Sequence, residues 1–104
     1  MPIKSLDVTT LKQWLDKEEA VLVDVREQNE YDAGHIPGSV FVPLSGFSQD
    51  KIPPHEGKKL VMQCRSGARS YKACEILQSL DNVLEVYNLD AGILGWAAAG
   101  YAIK

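Results

Sequence analysis

The segment "KLVMQCRSGARSYKACEILQSL", residues 59–80, decides the fold because it combines the signals of a strand, a tight reversal and a helix. Lys59–Gln63 is short and mostly apolar, which is typical of a buried strand. Small or apolar side chains then recur at helical spacing, at Ala73, Cys74, Leu77 and Leu80. This stripe predicts a helix over Ala68–Leu80, so Cys64–Gly67 must reverse the chain within a few residues.

The same alternation of strands and helices runs through the rest of the chain. Further strands are predicted for "AVLVDV" (Ala20–Val25), "VFV" (Val40–Val42) and "VLEVYNL" (Val83–Leu89). Helices are predicted to Lys17 with Thr9 as N-cap, as a short helix and turn within residues 26–39, and over "AGILGWAAAG", closed by Gly100. Residues 43–58, rich in proline and glycine, predict a long loop with one helical turn. Together these elements predict a single domain over residues 1–104, a three-layer α/β sandwich with a central, mostly parallel sheet flanked by helices.

The composition excludes several classes of function. A formal net charge of -3 and a pI near 5.3 argue against a nucleic-acid partner, and no run approaches the roughly 20 apolar residues that a membrane span needs. The segment "MPIKSLDVTT" lacks the apolar region of a signal peptide, which favours the cytoplasm, and we expect a monomer. Two cysteines without an export signal favour reduced thiols, and their number and spacing do not fit a structural zinc site.

Positive charge is concentrated around Cys64 in this acidic chain, at Lys58, Lys59, Arg65, Arg69 and Lys72. Gly67 permits a turn that aims successive N–H groups at one point, next to the positive end of the following helix. Such a nest, with Arg65 and Arg69, predicts a pKa for Cys64 below about 8.5 and a reactive sulfur rather than a buried one. The alternative interpretation is that Cys64 only ends a strand and that both arginines point to solvent.

Three motifs in order resemble the rhodanese-like sulfurtransferases in their single-domain form, and the resemblance covers nearly the whole chain. "VLVDVRE" (Val21–Glu27) with "GHIPGS" (Gly34–Ser39) resembles the first signature of the family. "CRSGARS" (Cys64–Ser70) resembles its active-site loop, and "AGILGW" (Ala91–Trp96) resembles its closing signature. Ala91 stands where the family often has glycine, a departure that concerns local turn geometry only.

The resemblance implies a mechanism. Cys64 would attack the outer sulfur of an anionic donor such as thiosulfate, release sulfite and keep the sulfur as a persulfide. Cyanide or a thiol, possibly a protein thiol, would then accept it. The loop amides and arginine side chains would hold the anionic donor and the persulfide, at Arg65, Ser66, Gly67, Ala68 and Arg69. The family's chemistry needs no metal and no organic cofactor.

Several polar residues near the motifs call for an interpretation. Asp24 ends an apolar strand, where a carboxylate is costly unless paired, and Arg26 is a possible partner. We expect Asp24 to anchor the following turn, with support for the cysteine loop as the alternative. His35 could be a general base, but a structural hydrogen bond is the expected role. We expect His55 to face solvent.

Two apolar residues near the motifs have expected packing roles. Cys74 lies on the apolar stripe of its helix, so we expect a core thiol, with a resolving or oxidation-prone thiol as the alternative. We expect Trp96 to pack in the core, and the resemblance places its motif near the site.

Two other functions compete with sulfur transfer. Phosphatases of the dual-specificity type use Cys-x5-Arg, because a phosphate needs a wide ring of amides. Here Arg69 comes five positions after Cys64 and position 70 is serine, so the ring is one residue short and suits a single sulfur atom better than phosphate or arsenate. The third interpretation is a non-catalytic rhodanese-like binding module, although such modules usually lack the cysteine.

Overall fold

The computed structural model describes residues 3–104 and confirms the predicted alternation of strands and helices. Its strands are β1 (Lys4–Leu6), β2 (Ala20–Asp24), β3 (Val40–Phe41), β4 (Lys59–Gln63) and β5 (Val86–Leu89). Its α-helices are α1 (Val8–Asp16), α2 (Gln28–Ala33), α3 (Ala68–Leu80) and α4 (Gly92–Ala98). Two short 3-10 turns, Leu44–Gly46 and Gln49–Lys51, lie in the loop before β4, where the sequence predicts one helical turn. Across residues 3–104, the helices are too short or too polar to span a bilayer.

The five strands form one parallel sheet in the order β1-β5-β4-β2-β3. The central strand β4 lies between β5 and β2, and Asp24 of β2 is in register with Gln63 of β4. The carboxyl ends of these two strands therefore meet at one end of the sheet. Cys64 follows β4 directly, so it lies where ligand sites form in parallel α/β sheets.

The core is divided into two layers by the sheet. Leu60 and Met62 of β4 pack on the face that α3 covers, whereas Val61 packs on the face that α1 and α4 cover. Successive strand residues point to opposite faces, so a strand buried on both sides is apolar throughout. This arrangement confirms the predicted three-layer sandwich.

The N-terminal part differs from the sequence prediction. β1 is not predicted, because three residues carry too weak a pattern; it pairs with β5 from Lys4 to Leu6. Thr9 as N-cap is wrong. Asp7 is the N-cap: its Oδ1 accepts a hydrogen bond from the Thr10 amide at 2.7 Å, and α1 begins at Val8. Both residue types cap helices well, and the one that directly follows β1 is used.

The predicted bounds of α3, Ala68–Leu80, are confirmed, but the predicted start of β5 is wrong. β5 begins at Val86 and not at Val83, since Asp81 accepts hydrogen bonds from the amides of Val83 and Leu84 in a turn. Leu80 belongs to the predicted apolar stripe but is 59% exposed, because α3 ends there beyond the edge of the core. The carboxyl ends of β2, β3 and α1 agree with prediction within one residue.

Candidate active site at Cys64

The Cys64 sulfur lies in a ring of main-chain amides at the start of α3. The Gly67 amide donates a hydrogen bond to Sγ at 3.1 Å, and the Ser70 hydroxyl lies 3.4 Å from Sγ. Burial raises the pKa of Cys64, but the Ser70 hydroxyl and the amides of Ser70, Ser66 and Gly67 outweigh it and hold the pKa below the ordinary value. The predicted nest and the predicted direction of the pKa shift are both confirmed.

The prediction that the sulfur is not buried is wrong, since Cys64 is only 1% exposed. Leu60, Met62 and Cys64 alternate along one face of the chain, so Cys64 continues the side of β4 that packs under α3. In the sequence this spacing indicates only the face of β4 that Cys64 continues, whereas the burial of its sulfur depends on the packing of α3 over that face. The sulfur is both buried and hydrogen-bonded by amides. Burial by itself would favour the neutral thiol, but the hydrogen bonds from the amides favour the thiolate and keep the pKa of Cys64 low.

Two glycines allow the loop to fold this tightly. Gly67 has φ +98°, and a Cβ at this position would lie 2.3 Å from the Asp90 carbonyl oxygen. Gly92 has φ +61°, and its Cβ would lie 2.2 Å from the Arg65 carbonyl oxygen. Each contact is shorter than atoms can approach, so both positions require glycine for space as well as for backbone angle.

The start of α4 holds the other side of the loop. The Ile93 amide donates to the Cys64 carbonyl at 2.9 Å, and the Leu94 amide donates to the Arg65 carbonyl at 3.2 Å. Helix N-termini carry amides without intrahelical partners, and these amides bind the loop carbonyls. As the carbonyls face α4, the loop amides are free to face the sulfur. The predicted proximity of the "AGILGW" motif to the site is confirmed.

Asn88 is a site residue that the sequence interpretation missed. Its Nδ2 donates to the Gly67 carbonyl at 3.1 Å and to Asp90 Oδ1 at 3.0 Å, and its Oδ1 accepts from the Ser70 hydroxyl. The Ser70 Oγ also lies 3.1 Å from the Gly67 carbonyl, so its single proton has three acceptors within reach: Asn88 Oδ1, this carbonyl and Cys64 Sγ. A buried amide in an apolar strand is costly without partners, so the same reasoning that singled out Asp24 could have found Asn88.

Gln63 also supports the loop without having been predicted. This buried side chain donates from Nε2 to the Cys64 carbonyl at 2.8 Å, while its Oε1 has no hydrogen-bond partner among residues 3–104. The Cys64 carbonyl thus receives hydrogen bonds from both Gln63 and Ile93.

The two loop arginines have different surroundings. Arg65 is exposed at the rim of the site. Arg69 is half-buried, and its guanidinium makes a bidentate ion pair with Glu30 of α2, with N–O distances of 2.6 and 2.9 Å. The hydrogen bond from Arg69 lowers the pKa of Glu30 to about 2. The sequence interpretation did not single out Glu30, since a glutamate at the third position of a helix is common as a capping residue.

The structure confirms Arg26 as the partner of Asp24. Asp24 is fully buried, and its carboxylate accepts hydrogen bonds from Arg26 at 2.8 to 3.1 Å. Arg26 Nη2 also donates to the Gly34 carbonyl at 2.7 Å. The pair therefore ties the end of β2 to the turn after α2, which agrees with the predicted anchoring role. Removing either partner would leave a buried charge without compensation.

Two of the remaining predictions for side chains near the site are confirmed, and one is confirmed only in part. His35 Nδ1 lies 3.1 Å from the Tyr31 carbonyl and its ring stacks on Tyr31 at 4.0 Å, as expected for a structural histidine. Trp96 is buried and its Nε1 donates to the Ala102 carbonyl at 2.9 Å. His55 is half-buried, so it faces solvent only in part.

The second cysteine has the opposite character to the first. Cys74 lies on the buried face of α3, and its Sγ lies 3.6 Å from the Tyr87 carbonyl. Burial raises the pKa of Cys74 to about 12, so this thiol is uncharged near pH 7. Its core position is as predicted. Within residues 3–104 no group of three or more His, Cys, Asp or Glu side chains is placed to hold a metal ion.

Comparisons with known proteins agree on one family. The family model described as "Rhodanese-like domain" matches residues 7–99. A protein named sulfurtransferase from Allochromatium vinosum is 38% identical over 104 residues, which cover 97% of this chain and 94% of that protein. Thiosulfate sulfurtransferase GlpE from Pseudoalteromonas translucida is 30% identical over 99 residues, covering 95% of this chain and 93% of GlpE.

Further matches extend the comparison to a longer protein and to a solved structure. The chain spans only half the length of the uncharacterized protein slr1261 from Synechocystis, with 37% identity over 88% of this chain. The crystal structure of a rhodanese-related protein from Thermoplasma volcanium matches with a TM-score of 0.84 and 29% identity, covering 97% of both chains.

Proposed function

Since the chain belongs to the rhodanese-like domain family, we propose that it is a sulfurtransferase in which Cys64 carries one sulfur atom as a persulfide. The observation that carries the proposal is the hydrogen bond from the Gly67 amide to Cys64 Sγ, in a loop that lowers the pKa of this thiol. A thiolate is the nucleophile in sulfur chemistry, and a persulfide anion needs the same solvation by amides.

Thiosulfate is the proposed donor. The Cys64 thiolate attacks the outer sulfur, the S–S bond of thiosulfate breaks, and sulfite leaves with the electron pair. An acceptor, either cyanide or a thiol such as a protein cysteine, then attacks the outer sulfur of the persulfide and releases the Cys64 thiolate. Each step exchanges one nucleophile for another at sulfur, so neither step calls for a metal or an organic cofactor.

The loop from Arg65 to Arg69 is the proposed binding site for the anionic donor. Arg65, Ser66 and Ala68 are exposed around the buried sulfur. A donor larger than a single atom cannot reach a residue that is 1% exposed, so the loop must open before transfer. Gly67 carries the backbone freedom for this movement, and Arg65 supplies the positive charge that meets the donor first.

Mass spectrometry of the intact protein tests the proposal. After incubation with thiosulfate, we expect a gain of one sulfur atom on Cys64 and its loss on addition of cyanide. Cys74→Ala is the matched control, since it removes the other thiol of the chain and should load normally. If the wild-type protein gains no sulfur with thiosulfate or with a persulfide donor, the binding-module alternative is favoured.

The phosphatase alternative is tested in the same preparation with an aryl phosphate. Phosphate chemistry needs an arginine free to bind the equatorial oxygens, whereas the Arg69 guanidinium is held by Glu30. We expect no hydrolysis above that of Cys64→Ser.

A further inference from the structure

Arg69 lies between two groups of negative charge. The hydrogen bond to Glu30 is the largest cause that raises the pKa of Arg69, and the charge of Cys64 raises it further. The charge of Cys64 therefore acts on this guanidinium, while its Nη1 and Nη2 each donate a hydrogen bond to the Glu30 carboxylate. An anion that arrives at Cys64 meets Arg69 already neutralised.

Glu30 is held in this position by its own helix. The Glu27 amide donates to Glu30 Oε1 at 3.1 Å, and in the capping box at the start of α2 the Glu27 side chain in turn faces the Glu30 amide. The side chains of Arg69 and Glu30 are 36% and 26% exposed. A solute at the rim can therefore compete for the guanidinium, while the hydrogen bond from the Glu27 amide holds the Glu30 carboxylate in place.

We propose that Glu30 is a specificity-determining residue that competes with anionic donors for Arg69, so that the site favours donors with one negative charge or none over dianions. The inference rests on the proposed function and adds a preference among its substrates. A dianion such as thiosulfate gains most from a free guanidinium, and Glu30 occupies this guanidinium. A monoanion, such as an alkyl thiosulfonate or the persulfide of a small neutral thiol, gains less from Arg69 and so loses less to Glu30.

Alkylation of Cys64 tests this preference without any sulfur transfer. Iodoacetate carries one negative charge and iodoacetamide carries none, and the two reagents are similar in size. The ratio of their rates at Cys64, followed on the peptide that contains it, reports how the site treats an anion. We expect Glu30→Gln to raise the ratio about threefold to fivefold at low salt, the size typical of one charge several ångströms away near a solvated surface, and less at high salt.

The matched control is Asp32→Asn, which removes one negative charge from the same helix. Asp32 is exposed and accepts a hydrogen bond from Gln28, and because it is two residues from Glu30 on the helix it lies on a different face. Glutamine at position 30 retains an oxygen for the capping box, so α2 should remain folded in the variant. An equal ratio in Glu30→Gln and Asp32→Asn would overturn the proposal, because Glu30 would then act only as surface charge.

A second background separates action through Arg69 from direct repulsion. In an Arg69→Gln protein, Glu30→Gln should lose most of its effect on the ratio; an undiminished effect would contradict competition for Arg69. With sulfur donors, Glu30→Gln should lower KM for thiosulfate about threefold or more, with smaller changes in KM for methanethiosulfonate and in kcat. If the wild-type protein transfers no sulfur, the proposed function fails, while the alkylation ratio still decides the role of Glu30.

Discussion

Gly67→Ala is the substitution that tests the geometry of the sulfur nest most directly. An alanine here would hold a backbone angle of φ +98°, which costs about 1–2 kcal/mol for a residue with a Cβ. Its Cβ would also lie 2.3 Å from the Asp90 carbonyl oxygen, and relieving such an overlap in packed structure costs about 1–3 kcal/mol. We therefore expect the free energy of unfolding to fall by about 2–5 kcal/mol.

The same substitution changes the chemistry of Cys64. Relief of the overlap must move the backbone whose amide donates to Sγ. A hydrogen bond to a charged group is worth about 1.5–3 kcal/mol, so even partial loss raises the pKa of the Cys64 thiol by about one unit. Two assays are needed: chemical denaturation for stability, and the pH dependence of the alkylation rate at Cys64 for the pKa.

Gly57→Ala is the matched control. Gly57 has φ +75° with no atom within 4 Å of the added Cβ, so it carries the backbone cost alone, about 1–2 kcal/mol, and leaves Cys64 unchanged. Equal destabilisation by the two substitutions would refute the close approach of Asp90 to Gly67. An unchanged pKa in Gly67→Ala would refute the assignment of the Gly67 amide to the sulfur.

Three further predictions follow from the site. Cys64→Ser should abolish sulfur transfer without unfolding, whereas Cys74→Ala should retain it; retained activity in Cys64→Ser, measured as thiocyanate formation, would contradict the assignment of the nucleophile. Ser70→Ala should raise the pKa of Cys64, because the hydroxyl that favours the thiolate is lost, and an alkylation rate with an unshifted pH midpoint would rule this out. Because the pKa of Glu30 is depressed from 4.5 to about 2 in the folded protein, its contribution to stability is fully present above pH 4.5 and is lost as the pH falls towards 2. Chemical denaturation at several pH values in this range should show this loss in the wild-type protein and not in Glu30→Gln. The same acid dependence in both proteins would argue against the ion pair.

Much of the fold could be predicted from sequence because burial on both faces leaves a plain signal. The runs that became β2 and β4 are apolar in every position but the ends, and the stripe of α3 recurs at helical spacing. β1 carries no such signal in three residues, and its place at the sheet edge depends on β5. At Leu80 the sequence pattern is present but misleading: Leu80 continues the helical stripe, yet it lies beyond the edge of the core and is exposed.

The candidate site divides in the same way. The turn at Gly67, the nest of amides and the partner of Asp24 are local, within a few residues of the groups they serve, and the sequence predicts them. Asn88 and Glu30 come from other elements, 21 and 39 residues away from their partners Gly67 and Arg69, and no spacing rule connects them. Long-range pairs of this kind depend on which strands and helices become neighbours.

The sequence by itself determined the class of fold, the position of Cys64 at the carboxyl end of a buried strand and the downward shift of the pKa of its thiol. These properties follow from short-range periodicity and from the conformation of one glycine-containing turn. The tertiary structure alone decided that the sulfur is shielded from solvent and that Arg69 is neutralised by Glu30. The physical reason is that shielding and ion pairing depend on distances between α2, α3 and the sheet, and such distances exist only after the layers have packed together.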